Sequence, residues 1–243
     1  MKRKCKIGFC IKHKIVLMAD EVYQDNIYVD TAKFVSFRKV ALDMGEEAAA
    51  LQLISFHSIS KGFFGECGRR GGYMQLMGFD KEVYDQIFKL WSINLCSNID
   101  GQVAVDIMVN PPKPGEPSYE LYASERQAIL NSLKKRAIQL CDALSSMPGI
   151  SCNPVDGSMY IFFKVLLPEK AVEEAKKRGV EPDYLYCEEL LNNTGIVTVP
   201  GSGFHQEEGT YHVRTTFLPP EDQIDSVIAR MGAFQEHFMN EYK

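Results

Sequence analysis

Four prolines crowd the stretch Asn110-Pro111-Pro112-Lys113-Pro114-Gly115-Glu116-Pro117, and this run constrains the fold more than any other. Proline fixes φ and donates no backbone hydrogen bond, so neither a helix nor a central strand passes through such a density. The chain is therefore expected to divide there, into residues 1–115 and 116–243. The two parts read differently. In the first, Ile15-Val16-Leu17-Met18-Ala19 is a continuous apolar run ending in Asp20-Glu21, which suits a parallel strand buried on both faces. A second run, 51–56, leads into Ser58 and Lys61, and a third, 72–77, follows Arg69-Arg70. Open α/β sheets bind ligands beyond the carboxyl ends of their strands, where these polar groups fall. Residues 81–94 follow a helical pattern.

Beyond the prolines, Ser118 is placed to cap a helix that Pro148-Gly149 stops, with Leu121, Ile129, Leu133, Leu140 and Leu144 near one face. Strands are expected over 157–163, 196–199 and 211–217. Helices are expected over 170–178, 184–192 and from about residue 220. This half reads as α+β and the first as α/β.

Composition narrows the partners. With 45% hydrophobic and 24% charged residues the chain is ordinary globular material, and a net charge of -5 leaves no basic footprint for nucleic acid. The seven cysteines form no C-x-x-C pair, which predicts reduced, structural thiols in a reducing compartment, and no metal ligands are assigned. Basic Met1-Lys2-Arg3-Lys4 is followed by no apolar signal core, and no apolar run approaches the ~20 residues of a membrane span. A cytoplasmic protein is the expectation.

The chemistry concentrates in the first part. Lys61, between Ser60 and Gly62, is an amine with close backbone around it; alone, a lysine after serine is usually a surface lysine. A serine-lysine hydrolase would need further motifs that are not evident. Asp20 can hold a pyridine nitrogen protonated, or merely cap a loop. Tyr23 can donate to a phenolate oxygen, or serve as a core aromatic. Arg70, before Gly71-Gly72, suits a phosphate, with Arg69 as the competing cation and Ser58 and Ser60 as added hydroxyl donors. Acid, phenol, amine and phosphate-binding cation in order within so short a stretch are what pyridoxal 5'-phosphate (PLP) demands of a protein.

These residues sit in longer strings: Met18-Ala-Asp-Glu-Val-Tyr-Gln-Asp-Asn26, Ser55-Phe-His-Ser-Ile-Ser-Lys-Gly62 and Gly65-Glu-Cys-Gly-Arg-Arg-Gly-Gly-Tyr73. Further along come Val109-Asn-Pro-Pro-Lys-Pro-Gly115, Val199-Pro-Gly-Ser-Gly-Phe204 and Gly209-Thr-Tyr-His-Val-Arg-Thr-Thr-Phe-Leu-Pro-Pro220. On them the chain resembles the fold-type I, class I/II aminotransferases, and within these the alanine aminotransferases. The resemblance implies the C-terminal part of a PLP-binding large domain with a mixed, mainly parallel sheet, followed by an α+β small domain. It implies Lys61 as Schiff-base lysine and proton carrier, Asp20 on the pyridinium nitrogen and Tyr23 on the ring oxygen. Ser58, Ser60 and Arg70 would hold the phosphate, and Arg214 the substrate α-carboxylate. L-alanine would leave as pyruvate, and 2-oxoglutarate would receive the amino group as L-glutamate, in a homodimer.

Family members are much longer. Their glycine-rich phosphate turn, ring-stacking residue, ring-oxygen asparagine and Asn-Pro-x-Gly loop have no counterpart here. The expectation is a truncated form with exposed sheet edges and apolar faces, weak PLP binding and little activity alone. A non-catalytic fragment that associates with full-length subunits, or another PLP-dependent enzyme, is the alternative.

Overall fold

The computed structural model describes residues 2–243. They form two compact units, Met1–Arg126 and Gln127–Lys243. The division falls inside one continuous helix, further along than the proline run expected to carry it. The cause lies in the first turns of that helix. Arg126 pairs with Asp25 at 2.5 Å and lies over the Phe63 ring at 5.0 Å, which ties these turns to the first unit.

The first unit begins with α1 (Lys2–His13) and β1 (Leu17–Asp20), then α2 (Phe37–Met44), β2 (Leu53–Ser58) and β3 (Gly72–Met77). It ends with α3 (Lys81–Ser92), α4 (Ile99–Val109) and the first turns of α5 (Tyr119–Ser146). The sheet order is β1-β2-β3, with β1 and β2 parallel and β2 and β3 antiparallel. It is thus mixed, with one pairing of each sense. The core lies on one face, where Ile7 and Cys10 of α1 and Ala41 of α2 pack with Ala19 and Leu53 of the sheet. The opposite face is open. Met18, expected to be buried, is 66% exposed, because only the face bearing Leu17 and Ala19 meets α1 and α2. Exposed faces were expected of this chain, and α3 and α4 extend them: Phe88, Trp91, Ile99 and Val103 are all exposed.

The second unit contains most of α5, then β4 (Ile150–Ser151), β5 (Tyr160–Val165), α6 (Glu169–Arg178), α7 (Pro182–Thr194), β6 (Val199–Pro200), β7 (His212–Thr216) and α8 (Ile224–Glu241). Its sheet is antiparallel, in the order β4-β5-β7-β6. Along β5, Ile161, Phe163 and Val165 point into the core while Phe162 is exposed, the period-2 alternation of a sheet covered on one face. The core is completed by Leu140 and Leu144 of α5, Leu185 and Tyr186 of α7 and Phe234 and Phe238 of α8. Its one buried hydroxyl in this group is satisfied: Tyr186 Oη donates to Gln235 Oε1 at 2.7 Å, and Gln235 Nε2 donates to the Pro148 carbonyl at 2.8 Å.

The apolar stripe expected along α5 holds from Leu133 onward, whereas Leu121 and Ile129 are exposed. β6 starts at Val199 rather than 196, because the Ile196 N–H donates to Thr194 Oγ1 in the turn that ends α7. Cutting a core side chain reads out the packing directly. Leu140→Ala, which empties a fully buried position, is expected to cost about 2–5 kcal/mol in urea unfolding. A change under about 0.5 kcal/mol, the range of surface substitutions, would contradict this core.

Candidate active site

Asp20 ends β1 and Ser58 ends β2, so both carboxyl ends of the parallel pair deliver polar groups to one edge of the sheet. Asp20 is exposed, and its Oδ1 accepts a long bond, 3.4 Å, from the Val22 N–H. Its neighbour Glu21 has a structural task. It is 8% exposed and accepts from the Phe37 N–H at 2.8 Å, which together with Ser36 Oγ on Lys39 N satisfies free donors at the start of α2.

The loop after β2 is pinned by Ile59, which is fully buried and donates its N–H to the Gly71 carbonyl at 3.2 Å. Ser58 Oγ accepts from the Ser60 N–H at 3.3 Å, and Lys61 follows. Gly62 takes φ +70, a left-handed conformation that suits glycine, and runs close to Val22 O and Asn26 Oδ1. The loop after Asp20 and the loop carrying Lys61 therefore lie side by side. Among the described residues the Lys61 amine has no hydrogen-bond or ion-pair partner.

Arg70 ends the short helical turn Cys67–Arg69 with φ +53, uncommon for a residue with a side chain. Its guanidinium donates to the Cys67 carbonyl at 3.0 Å, while Arg69 is taken by Glu66 at 3.3 Å. Of the two competing cations, Arg70 is the one on the cavity wall.

That cavity, about 950 Å³, opens between the uncovered face of the sheet and the α3–α4 region. Asp20, Ser58, Ser60 and Arg70 line it, with Phe56, Trp91 and Asn98. Tyr23 and Lys61 lie on the adjoining loops and are not part of its wall. His57 also reaches it. Burial pushes the imidazole below its ordinary range, against the opposing pull of Asp25 and Asp20, and the ring meets Tyr73 edge-on at 5.9 Å.

α4 shows no amphipathic pattern in its sequence, yet it holds the Arg70 turn. Asn98 Nδ2 donates to the Arg69 carbonyl at 2.5 Å. A side chain on Gly71 would stand 2.5 Å from the Gly101 carbonyl oxygen, and one on Gly101 would stand 2.9 Å from that of Arg70. Two backbones meet here with nothing between them. Gly101, inside a stretch rich in Val, Ile and Met, was the available signal.

Arg214 belongs to the second unit. On β7 it sits opposite Phe162 of β5 and Val199 of β6. Its guanidinium lies over two rings, Tyr160 at 4.7 Å and Phe204 at 4.8 Å. The turn Gly201–Phe204 that supplies Phe204 is fixed by buried Asp183, whose Oδ2 accepts from the Ser202 N–H at 2.6 Å and from Gln206 Nε2 at 2.8 Å. Gln206 Oε1 in turn accepts from His212 Nδ1 at 3.0 Å, and His212 stacks on Phe162. Burial and Lys164 lower the His212 pKa, against the opposing pull of Asp183.

Comparison with known proteins gives this arrangement a setting. The sequence family described as aminotransferase class I and II matches residues 4–231. The chain belongs to the class I and II aminotransferase family. Probable alanine aminotransferase, mitochondrial, of Dictyostelium discoideum is 54% identical over 238 residues, which are 98% of this chain and 45% of that protein. Alanine aminotransferase 2 of Xenopus laevis is 50% identical over 244 residues, 99% of this chain and 45% of its relative. Glutamate–glyoxylate aminotransferase 1 of Arabidopsis thaliana is 46% identical over 237 residues, 97% and 49% of the two chains. The aminotransferase chain thus spans about half the length of the curated relatives it matches. Alanine aminotransferase from Pyrococcus furiosus, a solved structure, shares the fold with a TM-score of 0.77 at 24% identity, over 97% of this chain and 53% of its own. The fold-type I architecture expected from the sequence is the one observed. Among the described residues no helix is long and apolar enough to cross a membrane.

Proposed function

We propose that this chain carries the lysine-bearing part of a PLP-dependent transaminase that moves the amino group of L-alanine to 2-oxoglutarate, giving pyruvate and L-glutamate. The observation that supports the reading most is the set Asp20, Ser58, Ser60 and Arg70 on one cavity wall, with the acid on one strand end and the guanidinium on the turn beyond another. That donor set fits PLP: one carboxylate for a ring nitrogen, two hydroxyls and a guanidinium for a phosphate dianion. When bound, the cofactor supplies an aldehyde carbon that combines with amines and a ring that withdraws electrons.

The chain's own residues divide the remaining work. Asp20 holds the proton on the ring nitrogen, and Tyr23 donates its hydroxyl to the ring oxygen. Ser58, Ser60 and Arg70 bind the phosphate. The Lys61 amine would hold the cofactor and, once freed, would carry the proton between the α-carbon of the amino acid and the cofactor's aldehyde carbon. Arg214 grips the α-carboxylate with its planar fork. The cavity is open on the uncovered sheet face, so PLP binding by this chain alone is weak. A homodimer remains part of the reading, and the apolar side chains exposed on α3 and α4 are surface that an assembly would cover. The relatives do not point to the cytoplasm alone, since the Dictyostelium protein is named mitochondrial.

The test is a panel of half-reactions with saturating PLP, each following loss of cofactor absorbance on adding L-alanine, L-aspartate or an aromatic amino acid. L-alanine is expected to react fastest, and faster reaction with L-aspartate would overturn the substrate assignment. The Arabidopsis relative named for glutamate and glyoxylate favours a second reading, in which the acceptor is glyoxylate. Offering glyoxylate beside 2-oxoglutarate in the same assay separates the two.

A further inference from the structure

Away from the candidate active site, the second unit holds two thiols in contact. Cys141 Sγ lies 3.1 Å from Cys152 Sγ, and both sulfurs reach the Asn153 carbonyl oxygen, at 3.3 and 3.4 Å. Neither rides on a loose segment. Cys141 sits on α5 between the fully buried Leu140 and Leu144, and Cys152 directly follows β4, whose Ile150 is buried and paired with Val165. The turn between them is held through Pro148, whose carbonyl accepts from Gln235. All the cysteines are free thiols, and Cys5, Cys67 and Cys96 are exposed. A disulfide needs a sulfur separation of about 2.05 Å, so closure asks for about 1 Å of movement.

We propose that Cys141 and Cys152 form a disulfide by exchange with a small-molecule disulfide, cross-linking α5 to the edge strand β4. The more accessible Cys152 loses its proton and attacks one sulfur of the reagent. The reagent's S–S bond breaks, and the departing thiolate takes up that proton. Cys141, deprotonated in turn, then attacks the Cys152 sulfur, and the second reagent thiol leaves with the second proton. Two protein thiols are oxidised and one reagent disulfide is reduced to two thiols. Burial, the Cys141 thiol and the charge of Asp142 push the Cys152 thiol up to about 12. Such a thiol attacks slowly at neutral pH, but it is also a poor leaving group, so the bond once made resists reduction. The cross-link closes only a short loop, which limits the freedom of the unfolded chain and holds an edge strand of two residues in place.

The experiment incubates the full chain with oxidised glutathione, alkylates the remaining thiols and maps the digest by mass spectrometry. A linked Cys141–Cys152 peptide lacking the mass of two hydrogens is expected, with the thermal midpoint raised by about 5 °C or more. Cys141→Ser is expected to stop at glutathione on Cys152, and Cys152→Ser to yield no cross-link. Glutathione retained on Cys152 of the unaltered chain would overturn the proposal. So would modification confined to Cys5, Cys67 and Cys96, or a cross-link that leaves the thermal midpoint unmoved.

Discussion

Replacing Lys61 by alanine is expected to remove the absorption band that PLP acquires on binding the chain, and to lower conversion of L-alanine to pyruvate to the rate of free PLP. A positioned proton carrier contributes about 10²–10⁴-fold, so the fall is on the order of 10³-fold or more. The structure gives the prediction a sharp form. Lys61 lies on a loop pinned by Ile59 and closed through Gly71, and its amine makes no hydrogen bond or ion pair among the described residues. Removing the amine therefore leaves the loop's own bonds in place. Circular dichroism and the urea midpoint are expected to stay as they were while the band disappears. Lys61→Arg keeps the charge but not the nucleophile, and it too is expected to lose the band. A band of equal strength with and without the amine would refute the assignment, and no band in either protein would refute PLP binding by this chain.

The second large effect is expected at Arg214. Arg214→Leu removes both charge and fork, and the concentration of L-alanine needed to bleach the cofactor band is expected to rise about 10²-fold. Charge-assisted hydrogen bonds are worth about 1.5–3 kcal/mol each, and 1.4 kcal/mol is a factor of ten. Arg214→Lys restores the charge without the bidentate geometry and is expected to recover only part of the loss. The rate at saturating L-alanine is expected to change far less than the apparent affinity, because the arginine binds a group that does not react. An affinity within about twofold of the unaltered chain would remove Arg214 from substrate binding.

Much of this was legible in the residues. Three strands and the polar groups at their ends follow from apolar runs and what comes after them, and β3 falls on the expected residues. The small unit's strands and helices follow from alternation and from stop signals such as Pro148-Gly149. The failures have physical reasons. Met18 looks buried in any apolar run, since a run reports hydrophobicity and not how many layers cover the sheet. α4 went unread because its apolar residues surround a glycine and follow no amphipathic face; it is exposed on much of its surface. The tie between the first turns of α5 and the loops of the first unit runs through an ion pair of Arg126 with Asp25, far away in sequence, and a ring contact with Phe63. The bracket of Tyr160 and Phe204 around Arg214 has the same character. Local patterns give elements, whereas contacts between distant residues decide what each element holds.

The meeting of Gly71 and Gly101 carries a consequence for how this surface can drift in sequence. The place of Arg70 is set there by main chain against main chain, with the Asn98 side chain adding a bond to the Arg69 carbonyl. Elsewhere on α4, exposed positions such as Ile99 and Val103 have room for a larger side chain. One methyl group at either glycine has no such freedom, because a carbonyl oxygen already occupies the space it would need. The turn that carries Arg70 is thus intolerant of change at two positions that bear no chemistry of their own.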